Sequence, residues 1–172
     1  GISAYTFLDA KHGWVATGLG WTEYTPNALL STEDGGATWK PLAYEVGNIT
    51  RRLSFISPQV GWRIYTQGQV QKTEDGGLTW TAVTTGSDHE CSLELQFVDE
   101  QYGWVGTCLH DLLRTQDVGK TWPQLPTPPE SASGQGWTMN YGQWWAMDFL
   151  DPQHGWAVFI SRSESIYQFL LL

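Results

Sequence analysis

Apolar and polar residues alternate along this chain in short runs, not in helical stripes. In Leu93-Glu94-Leu95-Gln96-Phe97 every second side chain is apolar, which is the period of a half-buried strand. Ala28-Leu29-Leu30-Ser31 and Tyr167-Gln168-Phe169-Leu170-Leu171-Leu172 read as further strands. Long helical patterns are absent and glycine is frequent, with 19 in 172 residues. The pattern predicts a turn-rich, all-β fold.

Two motifs punctuate the strands. The first is a strand ending in Phe, a polar turn, and Gly-Trp opening the next strand. It occurs at Phe7–Trp14, Phe55–Trp62, Phe97–Trp104 and Phe149–Trp156. The second is Thr-x-Asp-x-Gly-x-Thr-Trp, at Thr32–Trp39, Thr73–Trp80 and Thr115–Trp122. Its aspartates, Asp34, Asp75 and Asp117, recur at intervals of 41 and 42 residues. That period, with turn residues and Trp fixed in each unit, predicts β-propeller blades of four antiparallel strands. Strand A ends at the Phe, B opens at Gly-Trp, C runs into the Asp motif and D begins at Thr-Trp. About four blades are represented, approximately 1–46, 47–87, 88–126 and 137–172, in a single propeller or part of one. The fourth has no Thr-x-Asp motif before Leu172. A further motif is therefore expected beyond that residue, or closure of the last blade by another strand. An apolar terminal strand left as an edge invites pairing, so self-association through the last blade is one expectation.

Thr-x-Asp-x-Gly-x-Thr-Trp resembles the Asp-box, or BNR repeat, of sialidase-like propellers. Combined with the preceding Phe…Gly-Trp hairpin, it is most similar to the photosystem II assembly and stability factor family. The resemblance covers nearly the whole chain. It implies a propeller that binds a protein partner without catalysis. The family carries an arginine-rich patch for its partner; Arg51 and Arg52, with Arg63 nearby in sequence, are the residues that could correspond. The alternative within the superfamily is a carbohydrate-active protein, lectin-like or hydrolytic.

Measured against the boxes, two insertions stand out. From the Gly-Trp tryptophan to the box aspartate the spacing is 13 residues in units two and three but 20 in unit one. From box aspartate to the next Gly-Trp tryptophan it is 28, 29 and then 39. The first excess is a B–C loop bearing Trp21 and Tyr24. The second is a D–A connection around residues 123–144, with Trp137, Tyr141, Trp144 and Trp145 in or just after it. Antiparallel order puts both on the end of the blades away from the Asp-boxes. Unrepeated aromatics gathered there are candidate binding residues, as are Arg51 and Arg52. Repeated residues have a packing role by default. On this reading Asp34, Asp75 and Asp117 close turns, Trp39, Trp80 and Trp122 wedge between blades, and the four Gly-Trp tryptophans are core.

Net charge is −9 with nine Lys and Arg, which argues against general nucleic-acid binding. No apolar run reaches the ~18 residues of a membrane span. Cys91 and Cys108 flank the third A–B hairpin. A cross-strand disulfide between them is expected, and with it an extracytoplasmic setting, whether secreted, periplasmic, lumenal or cell-surface. No cofactor or metal is expected. A sialidase constellation needs three clustered arginines and an Arg-Ile-Pro motif, whereas Arg63-Ile64-Tyr65 lacks the proline. A glycosidase pair could draw on Asp88, Glu90 and Asp148, with His89 shuttling protons. The non-catalytic reading is preferred.

Overall fold

In the computed structural model the described residues are 1–18, 26–86, 92–107, 111–126, 143–160 and 166–171. They form antiparallel sheets without α-helix, the architecture of propeller blades. The chain divides into two compact units, Gly1–Glu90 and Cys91–Leu172.

The first unit holds two complete blades. Blade one is β1 (Ile2–Phe7), β2 (Gly13–Thr17), β3 (Pro26–Thr32) and β4 (Lys40–Val46), in that order across the sheet. Blade two repeats it with β5 (Arg52–Phe55), β6 (Gly61–Ile64), β7 (Val70–Thr73) and β8 (Thr81–Val83). The second unit holds two three-stranded sheets. One is β9 (Ser92–Phe97), β10 (Gly103–Thr107) and β11 (Leu112–Thr115). The other is β12 (Gln143–Asp151), β13 (His154–Ile160) and β14 (Ile166–Leu171). In blade three the D position is held by main-chain bonds from Arg114 N to Pro123 O and from Leu125 N to Leu112 O, around a Leu113–Gln124 bridge. Pro123 brings no N–H to that ladder, and pairing there stays at a bridge.

The Phe…Gly-Trp motif has a steric cause. Phe7, Phe55, Phe97 and Phe149 each pair across the A–B hairpin with the glycine, at Gly13, Gly61, Gly103 and Gly155. The Phe ring lies over that glycine: a Cβ built there would meet it at 2.1–2.6 Å. Only glycine leaves room, and the ring covers the main chain that glycine exposes.

The tryptophan after the glycine then reaches the next blade. Trp14 stacks face to face on Phe55, with centroids 3.7 Å apart and planes 4° apart. Trp104 stacks likewise on Phe149, at 3.8 Å and 1°. The box tryptophan meets the same Phe edge-on within its own blade: Trp39 on Phe7, Trp80 on Phe55 and Trp122 on Phe97, at 5.8–6.2 Å. Face-on contact between blades is therefore made by the Gly-Trp tryptophans, and the box tryptophans buttress from the side. Edge-on and parallel ring contacts suit the aromatic quadrupole. Around the first joint Ala4, Ala16, Leu29 and Leu53 complete the core. The fourth Gly-Trp tryptophan departs from the core expectation: Trp156 is 41% exposed.

Candidate functional site

Each blade has one end that is closed by its own sequence. In the first box the Thr32 hydroxyl donates to Asp34 Oδ1 at 2.8 Å and accepts from Gly36 N. Asp34 accepts from Thr38 N through Oδ1 and from the Thr38 hydroxyl through Oδ2, at 2.8 and 2.6 Å. The second and third boxes repeat these bonds around Asp75 and Asp117. Donors aimed at the ionised carboxylates hold all three at a pKa of about 2, with the hydroxyl bond from Thr38, Thr79 or Thr121 the largest cause. A carboxylate so occupied has little capacity left for a ligand. The box also docks on the neighbouring A–B turn, through Gly35 N to Lys11 O and Gly76 N to Gln59 O, at 2.9 and 2.8 Å.

The third box carries a local misfit. Where the others have Gly35 and Gly76, it has Val118, at φ +67°. A β-branched residue is strained in that region. A Cβ at Gly35 or Gly76 would come within 2.7–2.8 Å of a turn carbonyl. Val118 has that Cβ, and its own bond to Gln101 O is stretched to 3.4 Å.

The opposite end of the strands is different. A cavity of about 380 Å³ lies between the starts of β1 and β5, lined by Ile2, Ser3, Ala4, Tyr5, Arg51, Arg52 and Leu53. Strands in the A position line the centre of a propeller. Tyr5 and Ile2 are exposed here. Arg51 is tied to the sheet by its N–H to Ile64 O at 2.8 Å, and Arg52 Nη1 donates to Arg51 O at 2.9 Å. Two arginines and an exposed tyrosine thus line this cleft, in a chain of net charge −9.

Arg63 does not belong to it. Arg63 is 3% exposed and paired in a fork with Glu45, Nη2 to Oε1 at 3.0 Å and Nη1 to Oε2 at 3.2 Å. Its Nε donates to Gln71 and its Nη1 to Thr50, while its face lies 4.0 Å over Tyr65 and 4.5 Å over Trp80. With bonds from all three guanidinium nitrogens, it clamps β4 of blade one to β6 of blade two. Burial first, then the Glu45 charge, pushes the Tyr65 hydroxyl up to about 12.

Of the aromatics singled out in the sequence, Trp21, Tyr24, Trp137 and Tyr141 lie outside the described residues, as do Cys91 and Cys108. Trp144 and Trp145 begin β12, their side chains outside what is described. Trp144 pairs with Phe159, and Trp145 is the extra residue at an irregularity before Ala146. Asp88, His89 and Glu90 also lie outside the described residues, and Asp148 is exposed. No group of His, Cys, Asp or Glu among the described residues could hold a metal ion. The cleft itself was half legible: the Arg-Arg pair stood out by charge, but Ile2 and Tyr5 carried no sign that β1 would flank β5.

Comparison with known proteins places this arrangement. Residues 37–133 match the family model described as photosynthesis system II assembly factor YCF48. The chain belongs to this family. No curated protein sequence matches it. Among solved structures, "YCF48 bound to D1 peptide" is similar at TM-score 0.69 and 21% identity, covering 98% of this chain and 51% of that one. YCF48 from Cyanidioschyzon merolae is similar at 0.69 and 19%, covering 99% and 53%. A GH74 xyloglucanase from Xanthomonas campestris is similar at 0.66 and 17%, covering 99% and 29%. The chain thus spans about half the length of the two YCF48 structures, and at these identities the likeness concerns the fold.

Proposed function

We propose that this YCF48-family chain is a non-catalytic protein-binding scaffold. It takes an extended, acidic peptide segment of its partner in the cleft between β1 and β5. The observation that carries the reading is the cleft itself: Arg51 and Arg52 line it together with Tyr5 and Ile2. Guanidinium groups give paired hydrogen bonds to carboxylates, and a phenol gives flat apolar contact at low entropic cost. That YCF48 has been solved bound to a D1 peptide supports a peptide as ligand class. Trp21 and Tyr24 are the candidate contacts of the first unit's insertion, and Trp137, Tyr141, Trp144 and Trp145 those of the second unit's. The setting is extracytoplasmic, with Cys91 and Cys108 joined. Among the described residues no helix is long and apolar enough to cross a membrane.

The test is fluorescence anisotropy with a labelled acidic D1-derived peptide. Arg51→Ala combined with Arg52→Ala should weaken binding about tenfold or more, with a fall in affinity as salt rises. Lys40→Ala, beside the first box, should leave it unchanged. Binding indifferent to the two arginines would sink the reading. The second reading, a carbohydrate ligand, draws on the GH74 fold likeness. Saturable binding of xyloglucan oligosaccharides, lost in Trp21→Ala or Trp137→Ala, would favour it.

A further inference from the structure

The two arginines of the cleft stand at the end of a short connection that is pinned residue by residue. β4 ends at Val46 and β5 begins at Arg52. Between them Gly47 turns the chain at φ +77°. The Asn48 carbonyl then accepts from Asn27 Nδ2 of β3. The Ile49 N–H donates to the Thr66 hydroxyl at 2.6 Å. The Thr50 hydroxyl accepts from Arg63 Nη1 at 3.3 Å. The Arg51 N–H donates to Ile64 O at 2.8 Å, and the Arg51 carbonyl accepts from Arg52 Nη1 at 2.9 Å. The bonds run without a gap from Asn48 to a guanidinium that lines the cleft.

Three of these anchors are side chains from separate places: Asn27 in β3, Arg63 in β6 and Thr66 in the turn after it. Asn27, Arg63 and Thr50 are buried. Buried polar groups are costly unless bonded, and apolar residues can often replace them without loss of stability. What polar anchors add is direction. A hydrogen bond fixes where the chain lies, whereas an apolar contact lets it slide. Arg63 also sets the ends of the connection, because its Nη1 reaches Glu45 before it and Thr50 after it.

We propose, resting on the reading of the cleft as a peptide site, that Asn27, Thr66 and Arg63 are positioning residues for the arginine pair. Arg63 acts through Thr50. Their part is to fix the connection, not to touch the peptide. They hold it in the one path that brings Arg51 and Arg52 together at the cleft. Paired guanidinium–carboxylate bonds depend on geometry, and a connection ordered before binding need not be ordered by the ligand. Loss of an anchor therefore weakens binding through the arginines and only through them. The charge of the site, and with it the salt dependence, stays the same.

A double-mutant cycle on the whole chain tests this, read by anisotropy with the labelled acidic D1-derived peptide. Thr66→Val and Thr50→Val keep the side-chain shape and remove one anchor each. Each should raise the dissociation constant about fivefold, while Thr66→Ser and Thr50→Ser stay within about twofold of the parent chain. In a chain already carrying Arg51→Ala and Arg52→Ala, Thr66→Val should change affinity by less than about twofold, since no guanidinium is left to position. The slope of affinity against salt should be unchanged by Thr66→Val and reduced by the two arginine substitutions. In the peptide-free chain, the Arg52 Nε–H order parameter from NMR should fall in both valine variants. Thermal melts check folding, and the valine variants act at different bonds, so either alone carries the test. If the arginine substitutions weaken binding but neither valine variant does, the positioning role is overturned and the peptide site stands. An equal loss with and without the arginines, or no rescue by serine, overturns it as well. Binding indifferent to the arginine pair overturns both.

Discussion

Phe55 and Phe7 close the same hairpin in consecutive blades and have opposite surroundings. Phe55 carries Trp14 face-on and Trp80 edge-on and is 6% exposed. Among the described rings Phe7 has only the edge-on partner, Trp39. The arginines divide in the same way. Arg63 lies inside the seam between blades one and two with its bonds engaged, while Arg51 and Arg52 stand at the cleft. Position in the repeat sets what a side chain can reach. What packs across the seam decides whether it is enclosed.

That comparison can be broken most sharply at the joint. Phe55→Ala should cost about 3–5 kcal/mol, since it empties a stacked, fully enclosed site. Phe7→Ala should cost well under half as much by urea unfolding. Equal losses would mean that the edge-on contact and the glycine cover, not the stack, carry the energy. The arginine contrast comes next. Arg63→Ala should cost about 3 kcal/mol, because it strands Glu45 and removes the guanidinium from two rings. Arg52→Ala should stay within about 0.5 kcal/mol. Arg63→Lys should recover little, as an ammonium cannot form the fork.

A smaller and opposite effect is expected at the third box. Val118→Gly should stabilise the fold by about 1 kcal/mol, by relieving the left-handed valine and letting the bond to Gln101 O shorten. A loss of stability there would show that the valine side chain makes an apolar contact worth more than the strain. The boxes also predict the acid limb. Asp34, Asp75 and Asp117 have folded pKa values of about 2, below the ordinary 3.8. Their contribution is complete above the ordinary value and is lost as pH falls from there through about 2. Replacing Asp75 with Asn should flatten that limb of the stability profile. An unchanged slope would assign acid unfolding to other carboxylates.

Much of the fold was legible because the repeat writes its own geometry. Phe…Gly-Trp specifies a hairpin in which only glycine fits beneath the ring. Thr-x-Asp-x-Gly-x-Thr closes a turn with side chains no more than six residues apart. Such local bonds can be read from spacing. The cleft was less legible. Arg51 and Arg52 declared themselves as a basic pair, but Arg63 looked like a third member until its partners were seen. Glu45, Gln71 and Tyr65 are scattered through the sequence, and nothing local marks them as a cage. Trp156 misled for the same reason: its motif matches Trp14 and Trp104, and the difference is a neighbour, not a residue.

The sequence by itself determined the strands and the turns. Short-range sterics and hydrogen bonds fix these, and short-range patterns repeat. The tertiary structure alone decided which copy of each repeated residue is enclosed. Burial depends on what packs across a seam, and a residue's own motif is silent about that. Hence one arginine became a clamp, while two line a cleft between β1 and β5. One phenylalanine and one tryptophan, equivalent by motif to buried partners, are partly exposed among the described residues.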